Sequence, residues 1–222
     1  MASVTEKVKQ LFDEIKEVCD ESGRGFKGIK VLAAAKYATV AQLNEAIKAG
    51  VSIIGENRVQ DAIKREGLSL PVEKHFIGHL QTNKVKEAVR LFDCIESVDS
   101  YRLAEMINIE AERALKKMEM LIEVNITSDP RKYGVESGEV RHFLRKIGIF
   151  KYLEVKGLMA IVPFSENPEE ARTYFRKMTL LYEDCRKSWP EIDTLSMGMT
   201  GDFRVAIEEG SNEVRIGSYL FK

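Results

Sequence analysis

The chain has 222 residues, 44% of them hydrophobic, which is enough for one well-buried core. Its 34 basic and 35 acidic residues leave a formal net charge of −1, so no broad field draws nucleic acid or an anionic membrane, and any phosphate must be held locally. Cys19, Cys94 and Cys185 are odd in number, far apart and without a C-x-x-C pair. That argues against a disulfide framework or a zinc site. The stretch Met1–Glu14 does not read as a signal peptide, and no apolar run nears the roughly 20 residues of a membrane span. A cytoplasmic protein with no membrane or nucleic-acid partner is expected.

The first element is a helix from Ser3 to about Asp20, with Ser3 and Glu6 at capping-box spacing and an apolar stripe of Val4, Val8, Leu11, Phe12, Ile15 and Cys19. Short apolar runs then alternate with segments of helical period. The runs are Ile29–Ala35, Val51–Ile54, Val72–Ile77, Phe92–Glu96, Met120–Ile126, Leu153–Met159, Thr194–Met197 and Glu213–Ile216. Among the helical segments, Thr39 and Gln42 make a second capping box closed by Gly50. Leu103, Met106, Ile107, Ala114 and Leu115 mark a longer helix, and Phe203, Ala206 and Ile207 a short one stopped by Gly210. Eight strands alternating with helices predict parallel pairing by right-handed crossovers. The expected fold is an α/β TIM-type (β/α)8 barrel with an extra N-terminal helix, a single domain over residues 1–222. An open doubly wound sheet is the competing arrangement.

In a barrel, chemistry sits where strands end. The first strand ends in three alanines and Lys36. A lysine emerging there from an apolar strand should be buried, which disfavours the ammonium and suits imine formation with an aldehyde. By itself Lys36 also reads as a snorkelling side chain. The loops after the seventh and eighth strands carry Gly198, Thr200 and Gly201, then Gly217 and Ser218. Barrels bind phosphate at this place with loop amides and helix N-termini. Arg215 would keep a pyridine nitrogen unprotonated, or would pair with Glu208, Glu209 or Glu213. Asn57 is placed to bond a ligand oxygen, while Glu56 and Arg58 are placed to clasp each other. Of His75 and His79, the latter has the better claim to face the site. Neither has a carboxylate or thiolate at ligand spacing along the chain, so no metal is expected. The basic loop Arg131-Lys132-Tyr133-Gly134 is either a guard at the site entrance or simply solvated.

The segments Lys36–Thr39, Gly55-Glu56-Asn57-Arg58-Val59-Gln60, His75–Lys84, Gly157-Leu158-Met159, Ser196–Phe203 and Val214–Ser218 together resemble the pyridoxal phosphate homeostasis proteins (the YggS or PROSC family) nearly end to end. The resemblance implies a fold-type III barrel similar to the N-terminal domain of alanine racemase. It implies pyridoxal 5′-phosphate as cofactor, with Lys36 as the Schiff-base lysine. It places Thr200 and the amides of Gly201, Gly217 and Ser218 on the phosphate, Arg215 on the pyridine nitrogen and Asn57 near the ring. Thr200 stands where the family often has Ser, and Tyr37-Ala38-Thr39 replaces a proline-containing turn.

The family is regarded as non-catalytic and concerned with vitamin B6 supply, so a cofactor carrier is expected, with pyridoxal-phosphate-dependent apo-enzymes as partners and a monomer or weak dimer as its state. The alternative is a small amino-acid racemase. A racemase needs acid/base groups on both faces of the substrate carbon. Fold-type III racemases draw one of them from a second domain, for which the residues after the last strand leave no room. Lys36 serves one face, and no tyrosine is evidently placed for the other.

Overall fold

The computed structural model describes residues 2–65, 68 and 71–222. In chain order the elements are α1 Val4–Glu21, β1 Lys30–Ala34, α2 Val40–Lys48, β2 Ile53–Glu56, α3 Val59–Lys64, β3 Glu73–Phe76, α4 Val85–Leu91, β4 Cys94–Val98, α5 Tyr101–Arg113, β5 Met118–Asn125, β6 Val135–Glu136, α6 Val140–Ile147, β7 Leu153–Met159, α7 Arg172–Arg186, β8 Thr194–Met199, α8 Phe203–Glu208, β9 Glu213–Ile216 and α9 Ser218–Phe221. Both anticipated capping boxes form. Ser3 Oγ accepts from the Glu6 amide while Glu6 accepts from the Ser3 amide, and Thr39 and Gln42 repeat the pattern. The α5 helix stops short of expectation. Ala114 caps it, and Leu115 turns outward at φ 51° with 86% of its surface exposed.

The strands pair in the order β4-β3-β2-β1-β9-β8-β7-β5, and β5 pairs back to β4, so eight parallel strands close into a barrel. Closure selects the TIM-type arrangement over the open sheet. The ninth strand, β6, was not evident from the sequence, because two residues carry no period. It pairs with the end of β5.

Alternation along each strand sorts side chains to two faces. Outward residues such as Val31, Ala33, Val214 and Ile216 pack with α1, α2 and α8, while Ile95, Met120, Ile122 and Leu195 join the larger cluster under α4 to α7. The inward face is unusual. Barrel interiors are mostly filled by branched apolar residues. Here Leu32, Ile53 and Ile77 form one small apolar group and Cys94, Leu121 and Met159 another. Between them lie His75, Glu96, Ser196, Glu213 and Arg215, all buried. The register Leu32↔Arg215 and Lys30↔Glu213 sets Arg215 nearer the C-terminal rim and Glu213 nearer the opposite end.

Candidate functional site

At the C-terminal ends of the strands lies a cavity of about 360 Å³. Its lining includes every one of the seven residues singled out from the sequence: Lys36, Asn57, Thr200, Gly201, Arg215, Gly217 and Ser218. Lys36 follows β1 on a single helical turn, Ala35–Tyr37, and is exposed at the rim rather than buried. The turn lifts it clear of the strand, so the burial expected of it is absent. Its Nζ stands 5.2 Å from the Tyr37 ring centre, and Lys222 Nζ stands 4.1 Å over the same ring.

The facing wall comes from the loops after β8 and β9. Gly198 adopts φ +92°, and a Cβ there would meet Ala206 Cβ at 2.5 Å, so only glycine lets β8 turn into α8 this tightly. Asp202 Oδ1 then accepts from the Met199 amide at 2.6 Å and holds the turn closed. Thr200 Oγ1 accepts from the Gly217 amide at 3.3 Å and from the Tyr219 amide at 3.5 Å. Thr200 therefore ties the two glycine-bearing loops into one concave, amide-rich surface. The starts of α8 and α9 border it, with the partial positive charge that helix starts carry.

Arg215 forms the inner end of the cavity. None of the three glutamates weighed as its partner engages it through a hydrogen bond. Glu208 and Glu209 bind Arg172, and Glu209 also binds Arg176. Instead Arg215 donates to Ser196 O at 2.9 Å, Ser196 Oγ at 2.7 Å and Ala160 O at 2.8 Å. Carbonyls and a hydroxyl orient the guanidinium without neutralising it. Ser196 Oγ donates in turn to Glu96 Oε2 at 2.7 Å. Glu96 Oε1 meets His75 Nδ1 at 2.7 Å, and His75 Nε2 meets Glu73 at 2.9 Å. A polar chain thus runs from the cavity through the barrel to its other end. Burial opposes the His75 imidazolium, but its bonds to Glu73 and Glu96 outweigh that and raise it to about 10. Burial raises the Glu213 carboxyl to about 8.

Several side chains missed in the sequence position the site. Arg65 Nε lies 2.7 Å from Glu56, while its Nη1 and Nη2 donate to Ala38 O at 2.6 Å and Ala35 O at 2.7 Å. Glu56 is therefore clasped by Arg65 and not by Arg58, and the clasp grips the turn on both sides of Lys36. Pro163, Phe164 and Ser165, after β7, also line the cavity. Their place just beyond a strand end was the available signal. His79 does not line it. Its ring stacks on Tyr133 at 3.7 Å, with Asp99 at 3.5 Å. The basic loop likewise lies outside the lining, and Arg131 pairs with Asp129.

Comparison with known proteins identifies the family. Residues 20–222 match the family model described as alanine racemase, N-terminal domain. The pyridoxal phosphate homeostasis protein of Aquifex aeolicus is 39% identical over 219 residues, 97% of this chain and 96% of that one. Its namesake from Escherichia coli is 32% identical over 227 residues, covering 100% and 97%. A solved structure of PipY from Synechococcus elongatus with PLP bound superposes with a TM-score of 0.84 at 27% identity, covering 99% of this chain and 100% of that chain. An alanine racemase of Clostridium difficile, at 13% identity and a TM-score of 0.76, shares the fold over 97% of this chain and 56% of its own. With a match that runs end to end, the chain belongs to the pyridoxal phosphate homeostasis protein family, built on the alanine racemase N-terminal-domain barrel.

Proposed function

We propose that residues 1–222 act as one barrel domain that binds pyridoxal 5′-phosphate for vitamin B6 homeostasis, holds it as a Schiff base on Lys36, and does not turn over a substrate. The observation that carries this reading is the convergence of Lys36, Arg215 and the Thr200-tied loops on one cavity. The lining suits the cofactor group by group. An amine meets its aldehyde, an amide-rich concavity at two helix starts meets its phosphate, and an un-neutralised guanidinium meets its ring nitrogen. When bound, the cofactor supplies an aldehyde that condenses with amines and a ring that withdraws electrons. Arg215, always protonated, keeps the ring nitrogen from gaining a proton and so weakens that withdrawal. Asn57 flanks the ring, and Arg65 fixes the turn that presents Lys36.

Storage rather than catalysis follows from the acid/base groups available. Tyr37 and Lys222 both line the cavity, but they sit together beside Lys36, with Lys222 Nζ 4.1 Å over the Tyr37 ring, so neither supplies the opposite face. Asp202 is committed to the Met199 amide. The cavity opens to solvent at Lys36, which suits release to apo-enzymes.

Purified protein should carry an absorbance band that Lys36→Ala loses, and borohydride reduction followed by peptide mapping should place the cofactor on Lys36. An unchanged band in the variant would refute the assignment. Sustained α-proton exchange from an amino acid in heavy water would favour a racemase instead.

A further inference from the structure

The polar interior toward the opposite end of the barrel touches the cofactor cavity only through Ser196 and Arg215, yet it is costly to bury. We propose that it is a binding site for one first-row divalent cation, zinc being the best fit, held by His75, Glu96 and Glu213. One ligand atom from each of these three buried residues lies within 4.8 Å of the others. They come from three different strands, β3, β4 and β9, so closure of the barrel assembles them on rigid backbone.

A second observation points to a ligand. Glu213 is fully buried, and neither carboxylate oxygen has a hydrogen-bond partner among the described residues. Ser196, the nearest hydroxyl to act on it, is already engaged. Its single hydroxyl proton goes to Glu96, and its oxygen already accepts from Arg215. A buried carboxylate ion without partners is strongly disfavoured, so this carboxyl ionises only where a cation takes its proton's place, and a fully buried polar group left without a hydrogen bond marks a place for one.

The surroundings match the usual outer arrangement of such sites. A metal-bound imidazole normally donates its other N–H to a carboxylate, and bound carboxylates are themselves hydrogen-bonded. With Nδ1 on the cation, His75 Nε2 keeps its partner Glu73 at 2.9 Å. With Oε1 on the cation, Glu96 Oε2 keeps the Ser196 hydroxyl. The cation takes the place of the proton that Nδ1 and Oε1 share at 2.7 Å, and that proton leaves to solvent together with the one that burial keeps on the Glu213 carboxyl. One imidazole and two carboxylates leave a fourth position to water and favour zinc over magnesium or calcium, which take oxygen alone. A cavity of about 150 Å³ reaches His75 and Glu213 from the end away from Lys36, and four carboxylates against two lysines line it.

The test uses the full chain, stripped with a chelator and titrated with Zn²⁺ against a chromophoric competitor. One zinc per chain is expected, with a rise in melting temperature. Glu213→Gln keeps the shape and removes the oxygen that must ionise to bind the cation, so it should fold about as stably as the parent without zinc and bind it about 100-fold more weakly. Glu73→Gln should cost about 10-fold. Cys94→Ser, which changes a thiol lining the same cavity, should bind as the parent does. Zinc-soaked crystals should place the anomalous peak between the three ligands. Absence of stoichiometric binding, loss of binding in Cys94→Ser with retention in Glu213→Gln, or a peak elsewhere would each overturn the site. Because Lys36→Ala leaves these residues untouched, it should bind zinc as the parent does, which separates this inference from the cofactor reading.

Discussion

Arg65 shows how one side chain sets the position of another. Its guanidinium reaches Glu56 and the carbonyls of Ala35 and Ala38 together, a fork that lysine cannot reproduce. Arg65→Lys should keep the fold but loosen the Lys36 turn, lowering cofactor affinity about tenfold, or roughly 1.4 kcal/mol, in a spectroscopic titration. Arg65→Ala leaves Glu56 buried without its partner and should destabilise the fold by about 3–5 kcal/mol. Glu123 gives a pH signature. Burial, and then the charge of Asp99, raise its carboxyl to about 7, with Arg215 opposing. The folded state thus binds this proton more tightly than the unfolded chain, so stability falls as pH rises from about 4.5 to about 7. Glu123→Gln removes that loss. Its stability relative to the parent should grow by on the order of 3 kcal/mol across the window, measured by urea unfolding. Parallel curves for the two proteins would mean that Glu123 is ionised throughout.

Among the elements, the β2 and β3 ends meet in a tight backbone contact beside the cavity residue Asn57. A Cβ on Gly78 would fall 2.2 Å from the Asn57 carbonyl oxygen. Backbone cannot swing aside as a side chain does, so Gly78→Ala must push the β2 loop away from β3. A cost of about 1–3 kcal/mol is expected in denaturant unfolding, together with weaker cofactor binding through the displaced Asn57. Full affinity in that variant would show that Asn57 does not touch the cofactor. The loops after β8 and β9 work by a similar economy. Gly198 makes the first turn, Asp202 holds it, and Thr200 joins it to the second.

For the whole molecule, ligand binding to the folded state alone should stabilise it by about 2.7 kcal/mol at 100 times Kd. For a chain of 222 residues that is a rise of roughly 5–10 °C in melting temperature on adding pyridoxal phosphate. Lys36→Ala should show a smaller rise at the same concentration, since phosphate and ring contacts survive while the covalent link does not. An equal rise would argue that the bond to Lys36 adds nothing to retention. Among the described residues, no helix is long and apolar enough to cross a membrane.

Much of this protein is carried by local pattern. Capping boxes at Ser3 and Thr39, alternating apolar runs and glycines after the late strands specify elements and a rim, because helix caps, strand period and turn chemistry act over a few residues. From these and the motifs, Lys36, Asn57, Thr200, Gly201, Arg215, Gly217 and Ser218 were all legible as candidates. What depends on strands distant in the chain was not. Arg65 reaching back to Ala35, Ser196 rather than a glutamate orienting Arg215, the stacking of His79 on Tyr133 and the meeting of His75 with Glu96 and Glu213 all follow from barrel closure. Spacing along a chain records which way a side chain faces, but only register and closure decide which other side chain it meets there.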